Sequence, residues 1–354
     1  MTRARTEDPA VVYPPKPRAG DRVAVLSPSA GLPAYFPAPY ELGLTRLVDP
    51  FQLMPVEYPT TRVADASPAA RAADLHAAFG DPSIKAVIAT IGGDDELRVL
   101  AHVDLELLRT HPKPFFGYSD NTNLLHVLWG LGMVGYHGGS VMVQWGRPGR
   151  MHPVTVESLW RALFTRGQYV LPAVTAFTDE ERDWSDPDAL TGEPPLEPAD
   201  PWEWHGLERT VEGRLWGGNL ETIDGQLAAS RYLAPLDAYE GAVLFFETSE
   251  EMPSAAYVHR VLMRMRERGL LQRFSAVLVG RPKCWSLGER RDADAKRRYA
   301  QDQRAAILSA MREYLPEAVV VFNLDFGHTD PQLVMPHGGW VRVDGMARRI
   351  TVEY

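Results

Sequence analysis

Cysteine is almost missing from this chain: Cys284 is the only one in 354 residues. One thiol excludes an internal disulfide and any cysteine-rich metal site. The ten histidines show no H-E-x-x-H or H-x-H spacing, so neither metal catalysis nor a bound metal is expected. A G-x-x-x-x-G-K-[ST] phosphate loop is absent as well, which removes the basis for a nucleotide triphosphatase, and no cofactor is expected. Positive charge is in deficit, with 37 Lys and Arg against 46 Asp and Glu and a net charge of −9. That balance argues against a nucleic-acid partner. No apolar run approaches the roughly 18 residues of a membrane span. The first twenty residues carry Arg3 and Arg5 but no apolar stretch, and Pro9, Pro14, Pro15 and Pro17 break them. Neither a signal peptide nor a membrane partner is expected, and the chain reads as cytoplasmic.

What is there is an ordinary globular composition, 45% hydrophobic and 23% charged, in a chain long enough for two domains at about 150 residues each. Residues 1–20 read as an extended, proline-rich arm. Residues 21–170 read as an α/β domain. Arg22 to Leu26 and Ala86 to Ile91 are short apolar strands, and helices are expected from Ser67-Pro68 and from Asp94. Strands that are apolar throughout and alternate with helices imply a parallel sheet covered on both faces, with sites at the carboxyl ends of its strands. Residues 171–210 are acidic and rich in Pro and Trp. They form either a functional loop or an interdomain segment. Residues 211–354 hold further strands, at 213–219, 242–246, 276–280 and 319–322, with helices between them. A hairpin-like tail closes the chain across Asp344-Gly345.

Phe115-Phe116-Gly117-Tyr118-Ser119-Asp120-Asn121 reads as strand, sharp turn and helix start, with Ser119 at the turn beside the amides of the first helical turn. Taken alone, Ser119 is better explained as a helix cap than as a nucleophile, and Gly92-Gly93 as an ordinary strand-to-helix turn. Glu247 follows five apolar residues and is either buried with a partner or exposed at the strand end. His328, after Phe326-Gly327, is either a turn histidine or a proton-transfer group. Gly130 to Gly135 matches G-x-G-x-x-G, but it follows a helix and runs into Tyr136-His137-Gly138-Gly139, the wrong context for a dinucleotide.

Together the four features have a chemical logic. A serine hydroxyl needs a base, imidazole serves near neutral pH, and a carboxylate fixes the imidazole's tautomer. Amide donors are needed for a tetrahedral intermediate, and a Gly-Gly turn beside the serine could supply them. The order Ser119, Glu247, His328 is that of α/β-hydrolases, without their G-x-S-x-G elbow. With these partners in place, Asp120 and Asn121 read as the helix cap, which leaves the Ser119 hydroxyl free.

Gly117-Tyr118-Ser119-Asp120-Asn121-Thr122, preceded by Ile91-Gly92-Gly93-Asp94-Asp95, resembles the LD-carboxypeptidase family of serine peptidases, in particular its microcin C self-immunity branch. Leu26-Ser27-Pro28-Ser29, Gly217-Gly218-Asn219-Leu220, Phe245-Phe246-Glu247 and Gly327-His328-Thr329-Asp330-Pro331 extend the match in family order to the C-terminus. The resemblance implies a flavodoxin-like or amidotransferase-like N-terminal domain, a smaller β-rich α/β C-terminal domain and a homodimer. It implies Ser119 as nucleophile, His328 as general base and acid, Glu247 as its orienting partner, and the amides of Gly93 and Asp120 as oxyanion hole. The substrate it implies is the amide of a peptidyl- or aminoacyl-nucleotide antibiotic. A muropeptide losing a terminal D-amino acid is the alternative, and a catalytically silent ligand-binding relative is a third reading. Trp184, in a loop resembling that of the immunity branch, is either a stacking platform for a nucleobase or an anchor in a cluster with Trp202 or Trp204. Asn219 is a candidate substrate contact.

Overall fold

The computed structural model describes residues 11–354; half of the expected N-terminal arm, residues 1–10, lies outside the described residues. Two main sheets organise the chain. The first has six strands in the order Met335–His337, Gly135–His137, Phe115–Gly117, Ile84–Ala89, Arg22–Leu26 and Met54–Glu57. All neighbours are parallel except Met335–His337, which comes from the C-terminal end of the chain and pairs antiparallel. The second has eight strands in the order Gln168–Val170, Arg349–Glu353, Trp340–Asp344, Thr210–Asn219, Val243–Glu247, Ala276–Gly280, Val319–Leu324 and Glu203–His205. Its four central strands, from Thr210–Asn219 to Val319–Leu324, are parallel. The expected α/β architecture with a parallel-sheet domain and a second sheet domain is what the chain adopts. Strand pairing nonetheless crosses the sequence boundaries, since Gln168–Val170 and Glu203–His205 both join the second sheet.

The strands are buried on both faces because helices cover them. Ser67 caps the helix Pro68–Gly80 through its side chain, which accepts from the Ala70 amide, with proline at the first position. The helix expected from Asp94 is shorter than the apolar spacing suggests: one α turn, Glu96–Val99, passes into a 3-10 turn, Leu100–His102. Thr248 and Glu251 have capping-box spacing for the helix after Glu247, but Thr248 does not cap it. Ser254 does, accepting from Tyr257, and the helix runs Ala255–Glu267. The charge-rich stretch beyond Glu289 enters a 22-residue helix, Ala293–Tyr314, that buries only Gln303, Ile307, Ala310 and Met311. The segment Gly130–Gly135 ends a helix, turns, and enters the strand Gly135–His137, a context without a phosphate cradle. The tail is a true hairpin, Val341 opposite Val352 and Asp344 opposite Arg349.

One apolar core joins the two sheets, with Val25, Ile88, Phe116 and Tyr136 from the first and Leu215, Phe245, Leu278 and Val321 from the second. A buried ion pair pins the acidic segment onto it. Arg281 donates to Asp325 Oδ1 from Nε and from its terminal nitrogen, at 3.3 and 3.1 Å. Asp325 Oδ2 accepts from Trp202 Nε1 and the Val174 amide. Among the described residues, no helix is long and apolar enough to cross a membrane.

Arg281 and Asp325 are 4% and 1% exposed, so removing one charge strands the other in the core. We expect Arg281→Met to lower stability by about 3–5 kcal/mol, and the double variant with Asp325→Leu to recover part of that loss. Urea unfolding of the four proteins of that cycle measures it; equal stability of Arg281→Met and the parent would remove the pinning role.

Candidate active site

The carboxyl ends of the two parallel sheets meet, and the sequence-predicted residues gather there. Phe115–Gly117 ends at Gly117, opposite His137 in register. Thr210–Asn219 ends at Asn219, opposite Glu247. Ser119 follows Tyr118 at φ +61, in the left-handed region, and starts a 3-10 turn, Ser119–Asn121, that runs into the helix Thr122–Gly130. A serine held there is strained by about 1–3 kcal/mol. The G-x-S-x-G spelling is missing, but the strained strand-to-helix turn exists. Gly92 makes room for it: a Cβ there would stand 2.8 Å from Ser119 Cβ, 3.0 Å from its Oγ and 3.4 Å from the Asp120 amide. Gly92-Gly93 and Ser119-Asp120 are therefore pressed together, and Gly93 is at φ +146.

The expected helix cap differs from what forms. Neither Asp120 nor Asn121 caps the Thr122–Gly130 helix through its side chain, and nor does Ser119. Asn121 Nδ2 donates to the Ile91 and Tyr118 carbonyls. Asp120 Oδ2 accepts from the Glu96 amide at 2.9 Å and from the Ser29 hydroxyl, while Oδ1 accepts from Asn123 at 2.7 Å. Glu96 reciprocates, since its Oε2 accepts from the Leu124 amide at 3.3 Å. Each carboxyl thus caps the other segment's helix, an exchange that fixes the Gly-Gly turn against the serine turn. Sequence reasoning missed Glu96, because a cap supplied from another segment leaves no local spacing to read. Burial pushes the Asp120 carboxyl up to about 6. It lifts the fully buried Glu96 well above the usual carboxylate range, helped by the Asp120 charge.

Glu247 and His328 come into direct contact: His328 Nδ1 lies 2.5 Å from Glu247 Oε2. Gly327 permits it at φ +94, since a Cβ there would stand 2.5 Å from Glu247 Cγ and 2.6 Å from Oε2. Gln332 holds the loop through Nε2 to the Gly327 carbonyl, while its Oε1 accepts from the Gly139 amide. Arg147 pairs with Asp330 at 2.6 Å. Burial alone would raise the Glu247 carboxyl, but the His328 charge and hydrogen bond, then His137, pull it below its usual value. Burial would lower His328, yet Glu247, Glu250 and Glu221 together raise it to about 9.

Among the described residues, Ser119 Oγ makes no hydrogen bond to His328. The free nitrogen, Nε2, faces Glu250 Oε2 at 3.4 Å instead. Glu250 is half exposed, so it is able to leave. Asn219 Oδ1 accepts from the Thr222 amide and Nδ2 donates to Glu221 at 3.3 Å, and the same side chain helps to hold the Glu247 carboxyl below its usual value. Trp184 lies partly buried with its ring 5.7 Å from Phe36, edge on. Its aromatic partner is Phe36, and among the described residues neither Trp202 nor Trp204 makes a ring contact with it. Glu250 and Phe36 carry no motif and were not singled out by sequence. No group of three or more His, Cys, Asp and Glu side chains among the described residues is arranged to hold a metal ion.

The chain as a whole is similar to known proteins. The LD-carboxypeptidase N-terminal domain profile matches residues 23–138 and the C-terminal domain profile residues 212–343. A Vibrio cholerae protein described as a carboxypeptidase is 27% identical over 333 residues, covering 90% of this chain and 91% of that protein. The microcin C7 self-immunity protein MccF of Escherichia coli is 25% identical over 285 residues, covering 80% and 77%. A Bacillus subtilis protein described as a murein peptide carboxypeptidase is 27% identical over 287 residues, covering 80% and 76%. Among solved structures, MccF in complex with aspartyl sulfamoyl adenosine has a TM-score of 0.82 at 23% identity, covering 97% of this chain and 98% of that one. An MccF-like protein of Streptococcus pneumoniae in complex with AMP also has 0.82, at 26% identity, covering 94% and 99%. With both domain profiles matched in order over most of its length, the chain belongs to the LD-carboxypeptidase family and is a hydrolase of the serine-peptidase type.

Proposed function

We propose that the chain hydrolyses the amide bond of a peptidyl- or aminoacyl-nucleotide through an acyl-enzyme formed on Ser119. The observation that carries this reading is the Glu247–His328 pair, at 2.5 Å, beside a serine on a strained strand-to-helix turn. Ser119 Oγ attacks the scissile carbonyl carbon while His328 Nε2 accepts the hydroxyl proton, and Glu247 holds the Nδ1–H. The oxyanion rests on the amides of Gly93 and Asp120. Collapse breaks the C–N bond, and His328 returns the proton to the departing nitrogen. Water then attacks the ester, giving its proton to His328, which hands it to Ser119 Oγ as the carboxylate leaves. For this sequence Nε2 must exchange Glu250 for Ser119, a tightening that substrate binding commonly brings.

The nucleotide part of the reading is supported by relatives that bind AMP or aspartyl sulfamoyl adenosine. Trp184 supports it too: it is a partly buried indole beside Phe36, and a planar indole suits stacking on any base. The second reading, removal of a terminal amino acid from a murein peptide, has the Bacillus subtilis relative in its favour.

Fluorophosphonate labelling should modify the parent protein and spare Ser119→Ala; if both behave alike, the chain is a binding protein rather than a hydrolase. Offered aspartyl sulfamoyl adenosine and a tetrapeptide ending in D-alanine side by side, the protein should cleave the first, and cleavage of the peptide alone would transfer the assignment to murein recycling. Trp184→Ala should raise KM for the adenylate about tenfold with kcat within about twofold, since stacking contributes ~1–3 kcal/mol per base. His328 serves as a base only after losing its proton, so kcat/KM should rise with pH toward about 9. Glu250→Gln removes a charge that stabilises the imidazolium, and the rise should move to lower pH by roughly half a pH unit. A rise that stays in place in Glu250→Gln would mean that this carboxylate does not act on His328.

A further inference from the structure

His137 stands behind the triad and has no place in the steps above. It ends the strand Gly135–His137 and is fully buried. Its ring sits edge-on to Tyr118, at 6.0 Å, and to Phe245, at 5.2 Å. On another side a Cβ at Gly218 would come 3.2 Å from His137 Cδ2, so the bare backbone of Gly218 makes room for the ring. Three buried polar atoms are left without hydrogen-bond partners at this spot, His137 Nδ1, His137 Nε2 and Glu247 Oε1, and the last two face each other, 3.8 Å apart. Leaving such atoms unpaired costs about 1–3 kcal/mol each. A shift of less than 1 Å would join the facing two.

We propose that His137 is a positioning residue for the proton-transfer pair, its Nε2–H donating to Glu247 Oε1 so that Oε2 stays on His328 Nδ1. The proposal rests on the triad reading given above. Four residues then form one line from the first sheet through the second and back: His137, Glu247, His328, Ser119. A carboxylate bound on one oxygen only is free to rotate and carry the imidazole with it. Bound on both, it fixes the ring plane toward Ser119. The donor must be neutral, because a cation there would weaken the hold of Glu247 on the His328 proton. Burial keeps it so, pushing the imidazole down to about 4. The charged and titratable groups around the pair are Glu221 and Glu250 on the His328 side, Tyr118 between the two rings, and His126 and His337 behind His137.

The sign of the effect separates positioning from packing. A neutral donor on Glu247 disperses the carboxylate charge, so removing it strengthens the attraction for the imidazolium and moves the loss of the His328 proton to higher pH. Fluorophosphonate labelling rates measured across pH read this without any assumption about the natural substrate. His137→Leu should label about 10- to 100-fold more slowly near neutral pH, the loss of one hydrogen bond to a charged group, with the pH rise moved up by roughly half a pH unit. His137→Gln, which keeps a donor, should label about tenfold faster than His137→Leu, with the rise close to its parental pH. Slower labelling with an unmoved rise would make His137 a packing residue and overturn the proposal. Nitrogen-15 chemical shifts of the parent protein's histidines provide a measurement independent of variant folding, with His137→Gln identifying the signal. A neutral His137 protonated at Nε2 is expected, and a neutral ring protonated at Nδ1 overturns the proposal. If parent and Ser119→Ala are equally unlabelled, it is the triad reading that fails. A labelled parent with an unmoved rise in His137→Leu fails only the positioning role.

Discussion

The Glu247–His328 contact is the interaction on which the arrangement of this molecule turns. A carboxylate at the end of an all-buried strand is costly to desolvate, and it stays charged chiefly because an imidazole approaches it from a separate loop. That approach dictates much else. Residue 327 can carry no Cβ, residue 280 likewise lies against Glu247, and Gln332 and Arg147 tie the loop to the first half of the chain. The pair also makes the site electrically unusual. Glu221 and Glu250 add to Glu247, and the imidazolium is held well above its usual range, so proton release from His328 is coupled to what happens to the surrounding carboxylates.

The second half of the design is the join between two turns. Gly92-Gly93 and Ser119-Asp120 follow neighbouring parallel strands of one sheet, and their amides matter only if their relative position holds to within tenths of an ångström. The exchange of caps between Asp120 and Glu96 does this from within the fold, using two carboxyls that burial drives toward their neutral forms. The two halves of the molecule meet through further short links at the same place: Asn219 donates its amide to the Thr122 hydroxyl, and Thr222 donates to the Ser119 carbonyl.

Much of this is legible in the sequence. The apolar runs ending at Gly92, Gly117 and Glu247 read as buried strands with chemistry at their carboxyl ends, and the family blocks occur in an order that the two domain profiles match. Where the reading missed, the competing principle can be named. Thr248 and Glu251 have capping-box spacing, but Ser254 lies closer to the helix that forms. Asp120 reads as a cap for its own helix because Asp is a favoured cap residue; its carboxyl instead reaches the start of another. His137 lies where a false dinucleotide motif runs out, with nothing around it in the sequence to mark a role.

The sequence by itself determined the secondary elements, the parallel α/β class and the family, because these rest on local periodicity, turn chemistry and short blocks of residues whose order along the chain is visible. It also determined which side chains were chemically suited to the task. Tertiary structure decided which of them meet. His328 reaches Glu247 across 81 residues, Met335–His337 crosses back to the first sheet, and His137, Glu96 and Glu250 acquire their surroundings only when both sheets are in place. The physical reason is that burial and proximity set the charge state of these groups, and neither quantity exists until distant segments pack.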